Sequence, residues 1–212
     1  MVIAFDAFQG NKNERDFIIK CLSIVNVTTN QVQQFDFAPP FDWSRLSTLS
    51  KKQNHYLTTR IHGLNWYSGE IPHEELNRVL KEKTDHVVTL YAKGEVVCTF
   101  LENILGRTVY NLENTVMLFL PVDTLQNVLD NNLKNIIFKC GANHDGYDWS
   151  ISEQTRLTGC CFTRALRMAE IVKAYNRYNN IQALKITRGN DIAYKKDYHP
   201  NDGSKKYKKK NN

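Results

Sequence analysis

Long hydrophobic runs are missing from this chain of 212 residues. The longest, Val116 to Val122, falls far short of the roughly 20 residues that a membrane-spanning helix needs. The apolar start Met1-Val-Ile-Ala-Phe-Asp6 has no basic leader before it, so no secretory signal is expected. The expected location is intracellular, in the nucleus or cytoplasm of an infected or host cell, with no membrane partner. Five prolines and ten glycines are too few for collagen, and 42% hydrophobic with 11% aromatic residues is too many for a wholly disordered chain. A coiled coil is excluded as well. Paired cysteines are also lacking: Cys21, Cys98, Cys140, Cys160 and Cys161 are odd in number and contain no C-x-x-C. Buried free thiols in a reducing compartment are expected, not a zinc site, and pairing between chains is left open for an oxidising or long-lived assembly.

A basic excess is absent from most of the chain. Of 28 basic and 22 acidic residues, nine and three fall after Asn180, which leaves 19 of each in residues 1–180. The pI near 9.0 therefore belongs to a tail. A domain built to hold nucleic acid would carry its own basic face.

What is present is the pattern of an α/β domain over 1–180, followed by a basic arm over 181–212. Val2 to Phe8, Phe17 to Thr28 and Gln31 to Ala38 read as three strands of an antiparallel meander, which Pro39-Pro40 ends. Leu46 to Arg60 reads as a polar helix and His62 to Trp66 as a turn. Pro72 opens a helix reaching about Lys83, with Leu76, Val79 and Leu80 on one face. His86 to Ala92 is expected to be a strand, Glu95 to Leu105 a helix stopped by Gly106, and Val109 to Leu112 a short strand. A strand–helix–strand unit argues for parallel pairing, so the sheet should be mixed. Asp123 to Leu133 and Gly159 to Tyr178 read as further helices, and an extended appendage is expected beyond Asn180.

Four segments carry a resemblance: Phe5-Asp6-Ala7-Phe8, Phe35-Asp-Phe-Ala-Pro-Pro-Phe41, His62-Gly-Leu-Asn-Trp66 and Tyr91-Ala-Lys-Gly94 with its helix to Leu101. In this order they resemble the RNase H-like fold of the DEDD exonucleases, the proofreading-type 3′–5′ nucleases, over residues 2–113 and again over 159–178. They are also similar to proteins scattered through insect genomes and insect viruses. The resemblance implies a site of four carboxylates that hold two divalent metals, with a His or Tyr that helps deprotonate water. Carried over residue by residue, it leaves one acid. Asp6 stands in the D-x-E motif, but Phe8 replaces its glutamate. Val97 occupies the second acidic position. In the third motif, Gly159 takes the place of the general base and Arg164 that of the last acid.

One aspartate cannot assemble a two-metal site, because hard divalent cations need several oxygen ligands. A guanidinium in place of a ligand carboxylate repels the cation. Arg164 is therefore expected to pair with Asp6, with Arg167 as the substitute partner, so no catalytic residue, metal or cofactor is expected. Other polar groups have plainer readings. His144-Asp145 with Asp148 and Glu153 has the composition of a turn, His62 reads as a structural hydrogen-bonder, and Ser150 and Ser152 lack a nucleophile elbow. Gly94 and Gly106 bound a helix and do not cradle a phosphate.

The function expected from these features is a catalytically inactive, exonuclease-like scaffold that self-associates as a structural protein, of viral matrix or occlusion-body type. The arm with Lys205, Lys206, Tyr207, Lys208, Lys209 and Lys210 would make self-assembly or nucleic-acid contacts. A non-catalytic nucleic-acid adaptor is the second expectation, and a residual metal-dependent nuclease the third.

Overall fold

The computed structural model describes residues 1–12, 16–117, 120, 141, 142, 144–146 and 160–187. Met1–Tyr175 forms one compact unit and Asn176–Asn212 a second. Five strands form one mixed sheet in the order β3-β2-β1-β4-β5. They are β1 (Val2–Gln9), β2 (Phe17–Val25), β3 (Val32–Asp36), β4 (Tyr91–Ala92) and β5 (Tyr110–Asn111). The first three pair antiparallel, while β4 joins β1 and β5 joins β4 in parallel. With its flanking helices this is the α/β architecture expected of an RNase H-like fold.

β1 is central and covered on both faces, so its residues are nearly all buried. Period-two alternation sends Ile3, Phe5 and Ala7 to one face and Ala4, Asp6 and Phe8 to the other. The first face meets α2 (Leu76–Thr84) and α3 (Glu95–Leu105) in a core of Ile3, Phe5, Leu22, Ile24, Leu80 and Leu101. Phe5, Phe17 and Phe100 close it as an aromatic triangle with centroids 5.3–5.6 Å apart. On the second face Phe8, Ile18, Leu46 and Trp66 pack together under α1 (Thr48–Tyr56). Asn54, buried on that polar helix, clamps the end of β1. Its Oδ1 accepts from the Gln9 N–H at 2.6 Å and its Nδ2 donates to the Gln9 carbonyl at 2.9 Å. A short helix α4 (Leu112–Thr115) follows β5, and the last helix, α5 (Cys161–Thr187), meets the second face at its first turn.

Three elements differ most from the sequence reading. The strand expected over His86–Ala92 shrinks to Tyr91–Ala92. Arg107 donates to the Thr84 and Val87 carbonyls at 2.6 Å each, so those groups are not free to join a ladder, and Val88 is 98% exposed. The helix expected over Leu46–Arg60 is α1 continued by a wider π-helical turn, Leu57–His62, which Gly63 ends in the left-handed region at φ 70°. The last helix continues beyond residue 180, where an extended arm is expected, to Thr187; Gln182, Ala183, Leu184 and Lys185 are all strong helix formers. The helix expected over Asp123–Leu133 lies outside the described residues.

Lys20 marks an irregularity in the sheet. Asp6 pairs with Cys21 but Ala7 pairs with Ile19, so Lys20 is an extra residue in β2. Its buried ammonium donates to the carbonyls of Phe37 and Ser68 at 2.5 Å each. Burial lowers its pKa to about 8, against the opposing pull of Asp36. Gly69 makes the neighbouring turn possible: its φ is +97°, and a Cβ there would lie 2.2 Å from the Phe37 carbonyl oxygen. Because the folded state releases the Lys20 proton first, stability should rise as pH climbs from about 8 to 10.5. The gain should reach roughly 3 kcal/mol and be absent from Lys20→Met in urea unfolding followed across that range.

Candidate functional site

Asp6 is an acid in the middle of an apolar strand, and a carboxylate buried there needs partners. Its side chain is 2% exposed. Both oxygens are engaged by α5. The Cys161 backbone N–H, at the first residue of that helix, donates to Oδ2 at 2.7 Å. The Arg164 guanidinium donates to Oδ1 at 2.6 Å and to the Phe5 carbonyl at 2.7 Å. Asp6 thus caps a helix from a distant strand, where the free N–H groups and the dipole favour negative charge. The ion pair expected between Asp6 and Arg164 is present, and one turn of helix supplies both of its contacts. Burial opposes the Arg164 charge, and the carboxylate together with the nearby thiols more than offsets that, so its pKa is raised. Arg167 does not take this part: its Nε is buried without a hydrogen-bond acceptor among the described residues.

The other positions of the expected site are distributed as follows. Phe8 shares the Asp6 face and is 1% exposed, its ring 5.0 Å from that of His62 and 5.3 Å from that of Trp66. An aromatic cluster thus occupies the position where the resemblance would place a second carboxylate. Val97 packs against the Ile3–Phe5 core, away from the face that carries Asp6. Gly159 lies outside the described residues, as do Lys205, Lys206, Tyr207, Lys208, Lys209 and Lys210. Among the described residues no group of three or more His, Cys, Asp or Glu is placed to hold a metal ion. A cavity of about 410 Å³ lies elsewhere, lined by Lys20, Gln34, Asp36, Ser68 and Glu70 among others; neither Asp6 nor Arg164 lines it.

Two histidines that the sequence keeps apart meet beside this site. His62 is buried, and its Nδ1 accepts from the Leu64 N–H at 3.1 Å, which leaves the proton on Nε2. His144 Nδ1 contacts the His62 carbonyl oxygen, and the Gly146 N–H donates to the Gly63 carbonyl at 2.8 Å. The turn reading of His144-Asp145-Gly146 therefore holds, and the turn docks on the one at His62. Asp148, Ser150, Ser152 and Glu153 lie outside the described residues. Burial drives the His62 pKa down to about 4, although Asp6 pulls the other way. A neutral imidazole is thereby fixed against Phe8. Sequence reasoning missed this docking, and it missed the helix end that caps Asp6. The signal for the second was present: an acid in an apolar strand requires a donor.

No protein-family model, curated protein or solved structure matches this chain.

Two outcomes test this geometry. Asp6→Asn keeps an acceptor for Cys161, whereas Arg164→Met leaves a buried carboxylate. The arginine variant should lose about 2–3 kcal/mol, less than a fully buried pair because its side chain keeps 37% exposure. The double variant should show roughly 1–2 kcal/mol of coupling in urea unfolding; additive losses would mean that the pair contributes nothing. For His62, the folded pKa lies below the unfolded 6.5, so stability is complete above pH 6.5 and falls as pH drops toward 4. His62→Asn, which retains the acceptor, should escape up to roughly 3 kcal/mol of that acid loss.

Proposed function

We propose that this protein is a non-catalytic scaffold on an RNase H-like fold. It resembles the DEDD exonucleases in plan, does not carry out their chemistry, and acts by self-association as a structural protein. The observation that supports the first part is the state of Asp6, each of whose oxygens is held by α5. A divalent cation could reach that carboxylate only by displacing a guanidinium, and the neighbouring position offers it the ring of Phe8 instead of a second acid. The loss of ligands and the gain of an internal pair act together. What a nuclease keeps open for metal and substrate is used here to fasten a helix.

Self-association is supported by the surface. Leu49 and Tyr56 on α1, Tyr67 beyond it and Tyr110 on the edge strand β5 are all exposed. Tyrosine offers large contact area at low entropic cost, which suits contacts between copies of one chain. The formal neutrality of residues 1–180 removes the self-repulsion that would oppose dense packing. A matrix or lattice protein inside the cell is the concrete form of this reading. The specific feature favouring the second reading, a nucleic-acid adaptor, is the lysine run Lys205 to Lys210.

Light scattering at neutral and alkaline pH should find large assemblies that dissolve reversibly. Filter binding to DNA across a salt series should show little retention and no steep slope. A monomer at every concentration that binds DNA with a strong salt dependence would replace this reading with the adaptor. Degradation of single-stranded DNA with magnesium or manganese, lost in Asp6→Ala, would overturn the non-catalytic assignment.

A further inference from the structure

The Asp6 clasp lies next to a second contact between the same two elements, and its chemistry is different. Cys21 stands opposite Asp6 in β2, and Cys161 opens α5. Their sulfurs are 3.1 Å apart, and both residues are fully buried. A disulfide bond is about 2.05 Å long, so the two atoms are about 1 Å from bonding distance. The sulfurs are also held from other sides. Ser23 Oγ lies 3.3 Å and the Cys21 carbonyl oxygen 3.4 Å from the Cys161 sulfur, and Gln34 Nε2 lies 3.3 Å from that of Cys21. The adjacent Cys160 is occupied differently, with its sulfur 3.4 Å from Thr163 Oγ1. Cys98 belongs to the core on the opposite face of the sheet.

We infer that Cys21 and Cys161 form a disulfide site within one chain, fastening β2 to the first turn of α5. This goes beyond the function proposed above and does not depend on it. The oxidant is a low-molecular-weight disulfide such as oxidised glutathione. One cysteine thiolate attacks a sulfur of the reagent, whose S–S bond breaks and whose other half leaves as a thiolate that takes up a proton. The second cysteine thiolate then attacks the protein sulfur of this mixed disulfide and expels the remaining half as a thiol. Two protein thiols are oxidised, one reagent disulfide is reduced to two thiols, and both cysteine protons end on the released thiols.

The surroundings set when this happens. Burial pushes the Cys161 thiol pKa up, and neither sulfur is reachable while α5 is seated. Exchange therefore proceeds through a state in which α5 has lifted from the sheet, during folding or after the Asp6–Arg164 clasp opens. Once formed, the bridge joins residues 140 apart in sequence, which strongly restricts the unfolded chain. It also holds the helix end over Asp6 without help from the ion pair. A weakened clasp should thus both speed oxidation and be rescued by it.

The test refolds the full chain with and without oxidised glutathione, alkylates free thiols, and maps linked peptides by mass spectrometry. The expected product is a monomer lighter by two hydrogens, with the Cys21 peptide joined to that of Cys161 and a melting temperature higher by on the order of 10 °C. Cys160→Ser and Cys98→Ser should form the same bridge, whereas Cys21→Ser and Cys161→Ser should not. Arg164→Met should oxidise faster than the wild type under native conditions and regain its lost melting temperature when bridged. Links that map instead to Cys160, Cys140 or a second molecule would overturn the assignment. So would five free thiols after refolding with the oxidant.

Discussion

A carboxylate inside a sheet must find hydrogen-bond donors or a counter-charge, and much of this molecule is arranged around how Asp6 finds them. Removing a carboxylate from water costs several kcal/mol unless its oxygens are paired. Two solutions are open to an acid at the centre of such a fold: gather further acids around divalent metal, or bring in a cation and backbone N–H groups. This chain has the second. Arg164 and the Cys161 N–H come from one turn of α5, so the contact that satisfies the charge also fixes the helix on the sheet. The interaction is local in space and long in sequence, since it joins the first strand to a helix more than 150 residues later.

The neighbours of Asp6 make that solution obligatory. Phe8, His62 and Trp66 form a buried cluster on the same face, and the imidazole is held neutral by burial. Such surroundings lower the local dielectric and strengthen whatever electrostatic contact Asp6 makes, while raising the penalty for leaving it unpaired. The ring of Phe8 therefore does more than fill space beside Asp6. It excludes the water that would otherwise share the solvation of the first acid, and it makes the guanidinium indispensable. Phe8 and Arg164 are thus physically coupled through Asp6 even though no contact between those two side chains is required.

The legible parts of the fold were those fixed by local chemistry. Alternation in Val2 to Phe8 put Asp6 and Phe8 on one face, and Gly94 and Gly106 bounded α3, both at positive φ. The Asp6–Arg164 pair was reachable because the resemblance placed an arginine where an acid is expected. Other features depended on partners far away in sequence. The run His86 to Leu90 has strand composition, yet Arg107 claims two carbonyls from Thr84 and Val87, and no single-segment pattern reports that. Lys20 in an otherwise apolar strand looks like an error of pattern until the carbonyls of Phe37 and Ser68 are seen around its ammonium. His62 and His144 each read as turn residues. Their docking through the His62 carbonyl depends on the path of the chain between them, which local pattern does not record.

The same geometry sets apart two roles that a carboxylate inside a sheet can serve. Holding metal requires oxygens that stay accessible and a helix that can adjust around substrate; holding a helix requires the opposite. In this chain α5 contributes an ionic clasp at Asp6 and, beside it, the Cys161 sulfur in contact with that of Cys21 in β2, so its first turn is fixed by both charge and packing. With Asp6 held by the protein itself, the association proposed above would use surfaces outside it, such as the exposed Tyr56 of α1 and Tyr110 at the sheet edge. A scaffold of this kind gains from a rigid interior, because order already present in the single chain is order that assembly does not have to supply. Under the proposed reading, that would link a closed carboxylate at the centre to association at the periphery.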